Sequence, residues 1–390
     1  MNYQELKPLI FEKIGEYHNT FAEMNDWIAC HPEVSSHEVE TAALIVRTLE
    51  EQGFVCETEF DGIPNAFRAV CGPNDHRYKV AVLAEFDALP GLGHACGHCL
   101  SGSISCLAAA ALKDLQDELD TDIHVIGTPA EETLGRKCDM TDHGVFDRYD
   151  MAIMVHLYNY NLVFPHLLAL AAYFYEFHGK AAHSAAAPWD GVNAFNAAQL
   201  QFHGLDMLRQ HLTPDARLHG IIRDGGKAPN IVPDYVRSEI YARAARRDYR
   251  NEIVAQMDKM AEGACMMTGC TWNKYQEDHD FDDLKFNKTG DTSLREIFDE
   301  LDLELPENED FLFGSSDIGN VSYACPAFHP CVQISAPEVN IHTPEFAALM
   351  TTDLAHDRLD VGAKVIAMHI ANIFSDPEKI AAMKADFEKN

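Results

Sequence analysis

The sequence predicts an α/β protein: a mostly parallel sheet with helices on both faces, interrupted by a smaller α+β domain. Short apolar runs without alternation, Tyr78 to Phe86, Ile123 to Gly127 and Met151 to His156, read as strands buried on both faces. Helical stretches stand between them, the Ala-rich Ser101 to Leu115 being the clearest. The pattern changes in the middle of the chain and resumes after residue 285.

The elements follow in order. Tyr3, Leu6, Leu9, Ile10 and Ile14 recur near a 3.6-residue period and predict a first helix. A second helix opens at Ser35, with Glu38 at capping-box spacing, and stops at Gly53. After the three buried strands, Ala169 to Phe177 reads as a strand and Pro188 to Leu212 as a helix. Pro229 to Pro233 is a turn, Val236 to Ala242 a half-buried strand and Asn251 to Met267 a helix. This is the content of a small α+β domain. It gives a first domain of residues 1–168 and 285–390, interrupted by an inserted domain of residues 169–284, with brief hinges near Leu168 and Leu284. Ser293 to Leu301 is a helix, Phe328 to Ile334 a strand and Pro344 to Phe374 a helical region.

Composition narrows the function. With 390 residues, 47% hydrophobic and 24% charged, a packed core is expected. The net charge of −32, from 30 basic and 62 acidic residues, argues against nucleic acid and anionic membrane as partners. The start MNYQELKPLIFEKIGEY has no signal-peptide character, and the run Leu167 to Tyr175 is too short to span a bilayer. Eleven cysteines in so long a chain do not read as a disulfide scaffold, so a cytoplasmic protein with reduced thiols is expected.

Chemistry concentrates in two stretches, AEFDALPGLGHACGHC at 84–99 and GTPAEETLGRK at 127–137. In open parallel sheets ligands bind beyond the carboxyl ends of the strands. Cys96 and His98 follow one strand, Glu131 and Glu132 follow another, His156 ends its own, and His342 precedes a helix starting at Pro344. Thiolate, imidazole and carboxylate are transition-metal ligands. Adjacent carboxylates repel, so burying Glu131 with Glu132 requires nearby positive charge, which a metal supplies. One of the two then ligates while the other takes a proton from the attacking water.

These residues resemble the family-twenty metallopeptidases, and more narrowly their amidohydrolase branch. The likeness runs through HPEVSSHEVETAALIVRTLEEQGF, DALPGLGHACGH, GTPAEE, HGKAAHSAAAPWDGVNA, GGKAPNIVPD, SSDIGNVSYACPAFHP and IHTPEFA. It implies Cys96, His98, Glu132, His156 and His342 as metal ligands, Glu131 as general base, and Asp87 as the carboxylate that orients the site. It implies that His183 crosses a dimer interface to polarise the scissile carbonyl, and that Asn230 lies near the substrate. Two positions depart from the pattern. Cys99 stands where relatives carry Asp or Asn, and Arg136 stands where glycine is common and would face the substrate. Glu85 takes the place of a histidine ligand of other branches and is not assigned to the metal.

The expected function is metal-dependent hydrolysis of an N-acyl amino acid or dipeptide amide, in a homodimer. One or two ions of Zn²⁺, Mn²⁺, Co²⁺ or Ni²⁺ per subunit are expected. The competing readings are a deaminase on the same metal site and a thiol hydrolase with Cys96 as nucleophile. A binding protein on a hydrolase scaffold would lack a base or a ligand, and none is lacking.

Overall fold

The computed structural model describes residues 1–307 and 314–389. Two helices, α1 (Tyr3–Cys30) and α2 (Val39–Glu51), precede the strands β1 (Val55–Thr58), β2 (Phe67–Val70) and β3 (Tyr78–Ala84). Helices α3 (His98–Leu112) and α4 (Gln116–Leu119) lead to β4 (Thr121–Gly127), α5 (Arg136–Asp142), β5 (Met151–Ile153) and β6 (His156–Tyr158). Next come β7 (Ala169–His178), α6 (Ala194–Arg209), β8 (Arg217–Asp224), β9 (Tyr235–Ala244), α7 (Arg247–Thr268) and β10 (Thr271–Tyr275). The chain closes with α8 (Lys288–Glu300), α9 (Ile318–Val321), β11 (Ala327–Phe328), β12 (Cys331–Gln333), α10 (Pro344–Ala347), α11 (Asp353–Phe374) and α12 (Pro377–Lys389).

These elements form two compact units. The second begins at His166, ends at Asp283 and also takes in residues 314–315, where the Leu168 N–H donates to the Gly314 carbonyl. Among the described residues no helix is long and apolar enough to cross a membrane.

The first unit holds a six-stranded sheet ordered β1-β2-β4-β3-β5-β11. Strands β4, β3, β5 and β11 are parallel, and β1 and β2 add an antiparallel edge. The path steps from β3 to β4 on one side, then crosses to β5 on the other. That reversal opens a crevice at the carboxyl end of β3, where ligands bind in such sheets.

Helix α3 is buried along its whole length, with α1 and α11 packed on it. Its small residues permit this. A Cβ at Gly102 would lie 2.3 Å from the Glu85 carbonyl oxygen, so only glycine lets the helix rest on the strand end.

Several expectations are corrected. Ser35 does not cap α2: the helix starts at Val39, and the Ser35 hydroxyl donates instead to Asp87 Oδ2 at 2.7 Å. Glu38 is fully buried and accepts the Ala130 N–H at 2.8 Å. The run Met151 to His156 breaks into two strands, because β6 leaves the main sheet to pair in parallel with β12. Phe328 to Ile334 breaks likewise at Pro330, and Pro344 to Phe374 divides into α10 and α11.

In the second unit a four-stranded antiparallel sheet, β10-β7-β9-β8, packs against α6 and α7. Strands β8 and β10 were not foreseen in the sequence. Strand β8 is an edge strand with Ile221 and Ile222 exposed and a register shift before Asp224, so it lacks the alternation of a half-buried strand.

Candidate metal centre

The first unit brings the predicted donors together at the carboxyl ends of its parallel strands. Gly97, at φ 85°, turns the chain into α3 and sets Cys96 and His98 on either side of the turn. A side chain there would also meet Leu157, whose Cβ would be 3.2 Å away. Ala130 and His342 adopt left-handed conformations, at φ 57° and 64°, uncommon for side-chain-bearing residues. Glu38 holds the first through its N–H, and the His342 N–H donates to the Ala95 carbonyl at 2.8 Å.

Ligand-type atoms fall into overlapping groups within 4.8 Å of one another: Cys96 with His98 and His156, Cys96 with Glu132 and His342, and His98 with Glu131 and Glu132. Cys96, His98 and Glu132 each belong to two groups, so the cluster is continuous. Asp87 ties it to the scaffold. Its Oδ1 accepts from His98 Nδ1 at 2.8 Å, and its Oδ2 accepts from the Ser35 hydroxyl and, at 3.0 Å, from the Glu132 N–H. His98 Nε2 is therefore presented to the cluster. His156 Nδ1 donates to the Leu157 carbonyl at 2.7 Å, so its Nε2 carries the lone pair, 3.6 Å from Cys96 Sγ.

The electrostatics are those of a site built around a cation. His98 Nε2 and Glu132 Oε1 are buried without a hydrogen-bond partner, a costly state unless an ion takes those lone pairs. Burial pushes the Glu131 carboxyl well above its ordinary value, with the carboxylates of Glu85, Asp317 and Glu132 adding to it. Burial also raises the Cys96 thiol well above its ordinary value, the opposite of an activated thiolate nucleophile. For His98, burial is outweighed by Cys96, Asp87 and Glu85, which hold the ring well above the histidine value. A divalent charge reverses each of these tendencies, so the donor set fits a transition metal.

His183 and Asn230 are both exposed in the second unit and adjoin one another there: the Ser184 N–H donates to the Asn230 carbonyl at 3.0 Å. His183 Nδ1 accepts from the N–H groups of Ala185 and Ala186, which leaves Nε2–H as a donor. A cavity of about 410 Å³ beside them is lined by Ser184, Asn193, Phe195, Lys227 and Ile231, among others. Arg136 has a carboxylate partner of its own. It pairs with Asp139 at 2.7 Å, one turn along α5.

Sequence reasoning missed a buried set beside Glu131. Lys137 Nζ lies 2.6 Å from Glu85 Oε1 and 2.7 Å from Asp317 Oδ1, and all three side chains are buried. It also missed His329, buried with both ring nitrogens unpartnered and stacked 5.4 Å from His156. Burial pushes the His329 ring down to about 3; His156 and Lys137 add to this and Glu85 opposes it. Lys137 ends GTPAEETLGRK, and SSDIGNVSYACPAFHP contains Asp317 and His329, but no spacing within either stretch marks them as neighbours.

The chain is similar to characterised proteins throughout. A family model described as a peptidase dimerisation domain matches residues 169–265. The Xaa-Arg dipeptidase of Mus musculus is 32% identical, over 98% of this chain and 92% of that protein. One of the two similar p-aminobenzoyl-glutamate hydrolase subunits of Escherichia coli is 27% identical, over 96% of this chain and 93% of that protein. A dinuclear metal-binding peptidase of the M20 family from Bacillus subtilis superposes with a TM-score of 0.70 at 20% identity, covering 92% of this chain and 98% of that one. With this likeness over nearly its whole length, the chain belongs to the M20 family of metallopeptidases and is a metal-dependent amide hydrolase.

Proposed function

We propose that the enzyme hydrolyses the amide of a dipeptide or N-acyl amino acid, with Glu131 as the proton-transferring group and Cys96, His98, Glu132, His156 and His342 as metal ligands. The overlap of three donor groups through Cys96, His98 and Glu132 is the observation that carries this reading. A bound divalent ion supplies Lewis acidity toward the carbonyl and acidifies water. Thiolate with imidazole favours Zn²⁺, Mn²⁺, Co²⁺ or Ni²⁺ over Mg²⁺ or Ca²⁺. Asp87 fixes the His98 ring. Glu131, in its buried setting beside the donors, takes the proton of the attacking water and passes it to the leaving amine.

The second unit is assigned to dimerisation and to completing the site. Its edge strand β8, with Ile221 and Ile222 exposed, fits pairing with a second copy. The free Nε2–H of His183 then serves to stabilise the tetrahedral oxyanion in the partner's site. The E. coli relatives are named as two different subunits of one hydrolase, which makes a heteromer the outcome to exclude. The name of the mouse relative and the net charge of −32 favour a cationic amino acid on the leaving side. Eleven free cysteines support a reducing, cytoplasmic setting.

Metal analysis of the purified protein tests this, followed by chelation, metal restoration and a panel of dipeptides and N-acyl amino acids. Activity lost to the chelator and restored by a transition metal is expected. Full activity in metal-free protein would overturn the reading.

A further inference from the structure

Lys137 is fully buried, and burying an ammonium is expensive even when it is paired. An apolar side chain of similar size often serves stability as well or better. Its surroundings point to something other than stability. Glu85, Glu131 and Asp317, all buried, bring carboxylate oxygens within 4.8 Å of one another, a spacing that suits a metal ion. The protein places its own cation against two of them. Lys137 Nζ bonds Glu85 Oε1 and Asp317 Oδ1, and the Lys137 N–H donates to Asp317 Oδ2 at 3.1 Å. Burial alone would push the ammonium down, but Asp317, Glu85 and Glu131 outweigh it and hold the lysine charged.

Glu85 adds a second observation. Its Oε2 is buried with no hydrogen-bond partner, 3.4 Å from His98 Nε2. Glu85 is thus an oxygen donor beside the metal centre, restrained by a lysine on its other oxygen. Without that restraint, Glu85 and Asp317 would together draw a hard cation, and Glu131 would become its third ligand.

We propose that Lys137 is a positioning residue that stands in for a divalent cation: it occupies the carboxylate cluster of Glu85, Asp317 and Glu131 and so keeps Glu131 uncoordinated. The consequence for catalysis rests on the proposed role of Glu131, whereas the occupancy of the cluster does not. Lys137 touches neither substrate nor metal in this scheme. An all-carboxylate cluster would prefer Mg²⁺, Ca²⁺ or Mn²⁺, unlike the thiolate and imidazole centre beside it.

The test counts metal. Wild type, Lys137→Met and Lys137→Met/Asp317→Asn are saturated with Zn²⁺ and dialysed against Mn²⁺, and both metals are measured per subunit. Lys137→Met is expected to hold one manganese ion more than wild type, with kcat down at least about tenfold and KM within about twofold. The double variant, with charge balance restored, is expected to return to the wild-type count. Equal manganese in Lys137→Met and wild type overturns the proposal. If Lys137→Met folds only when Mn²⁺ is present, the metal has replaced the lysine and the proposal holds. If it stays unfolded in Mn²⁺, no cation substitutes for the lysine and the proposal fails, whether or not the double variant folds. Glu131→Gln in the wild-type background separates the two readings: retained turnover there would sink the role of Glu131 and leave the metal count standing.

Discussion

The two units break the ordinary pattern of burial in different ways. The first encloses charge: Glu85, Asp87, His98, Glu131, Lys137 and Asp317 are all buried, within one cluster at the sheet's carboxyl edge. The second exposes oil. Trp189, Met207, Ile221, Met266 and Met267 stand more than half exposed, Met266 at 81%. Each departs from the ordinary distribution, in which charges face water and large apolar groups do not. Buried charge is costly unless it is compensated, and exposed apolar surface, where contiguous, marks interaction sites.

The sharpest way to break this contrast is at Glu131 and Glu132. Glu131→Ala is expected to bind metal nearly normally and lose at least about a hundredfold in turnover. Glu132→Ala should lose metal instead. Metal counts and kcat on the two proteins decide it, and the reverse pattern would exchange the roles.

Subunit mixing addresses the second unit. His183→Ala and Glu131→Ala subunits, each inactive alone, should regain activity when mixed, since one site of the hybrid keeps both groups. No recovery after exchange, confirmed by mass measurement, would place His183 outside the partner's site. Ile221→Asp on β8 should yield a monomer by sedimentation, with the metal content of the first unit unchanged. A dimer that survives it would move the interface elsewhere.

Gly102→Ala should lower stability by about 1–3 kcal/mol, because its Cβ meets the backbone of Glu85 and not a side chain that can swing away. A melting temperature equal to wild type would mean that α3 is not pressed onto the strand end.

The smallest effect expected is a difference in acid sensitivity. His124 and His369 of the first unit are pushed down by burial, to about 4 and about 3, from 6.5. Nearby lysines, Lys79 and Lys379, lower them further. Their folded values lie below the unfolded value, so the unfolded chain binds more protons in that window. The stabilisation is fully present above 6.5 and is lost as pH falls toward about 4 for His124 and about 3 for His369. No described histidine of the second unit is buried. Hydrogen exchange resolved by peptide should show the first unit loosening first on acidification. Simultaneous loss in both would remove this distinction.

What could be read from the sequence follows from how local each signal is. Cys96 and His98 announced themselves because both flank one glycine turn, and Glu131–Glu132 because two adjacent carboxylates need an explanation within their own segment. The Lys137–Asp317 pair spans 180 residues, and nothing in either segment alone says that they meet. Ser35 and Glu38 show the converse failure: their spacing fits a helix cap, but both side chains are taken by more distant partners, Asp87 and Ala130. Strand β8 escaped notice because, Leu218 apart, its apolar residues Ile221 and Ile222 are exposed, which erases the alternation that marks a strand with one solvated face.

The bonding of Asp87 carries a consequence for the order of folding. Its carboxylate gathers Ser35, His98 and the Glu132 N–H from positions 52, 11 and 45 residues away along the chain. None of these three segments gains its full reward until the others have arrived, so the centre should close late, after the sheet has formed, and open as one piece. The Glu132 amide is then a clock for that event: it should exchange hydrogen only when all three segments part, at the same rate as the Asp87-facing ends of its neighbours.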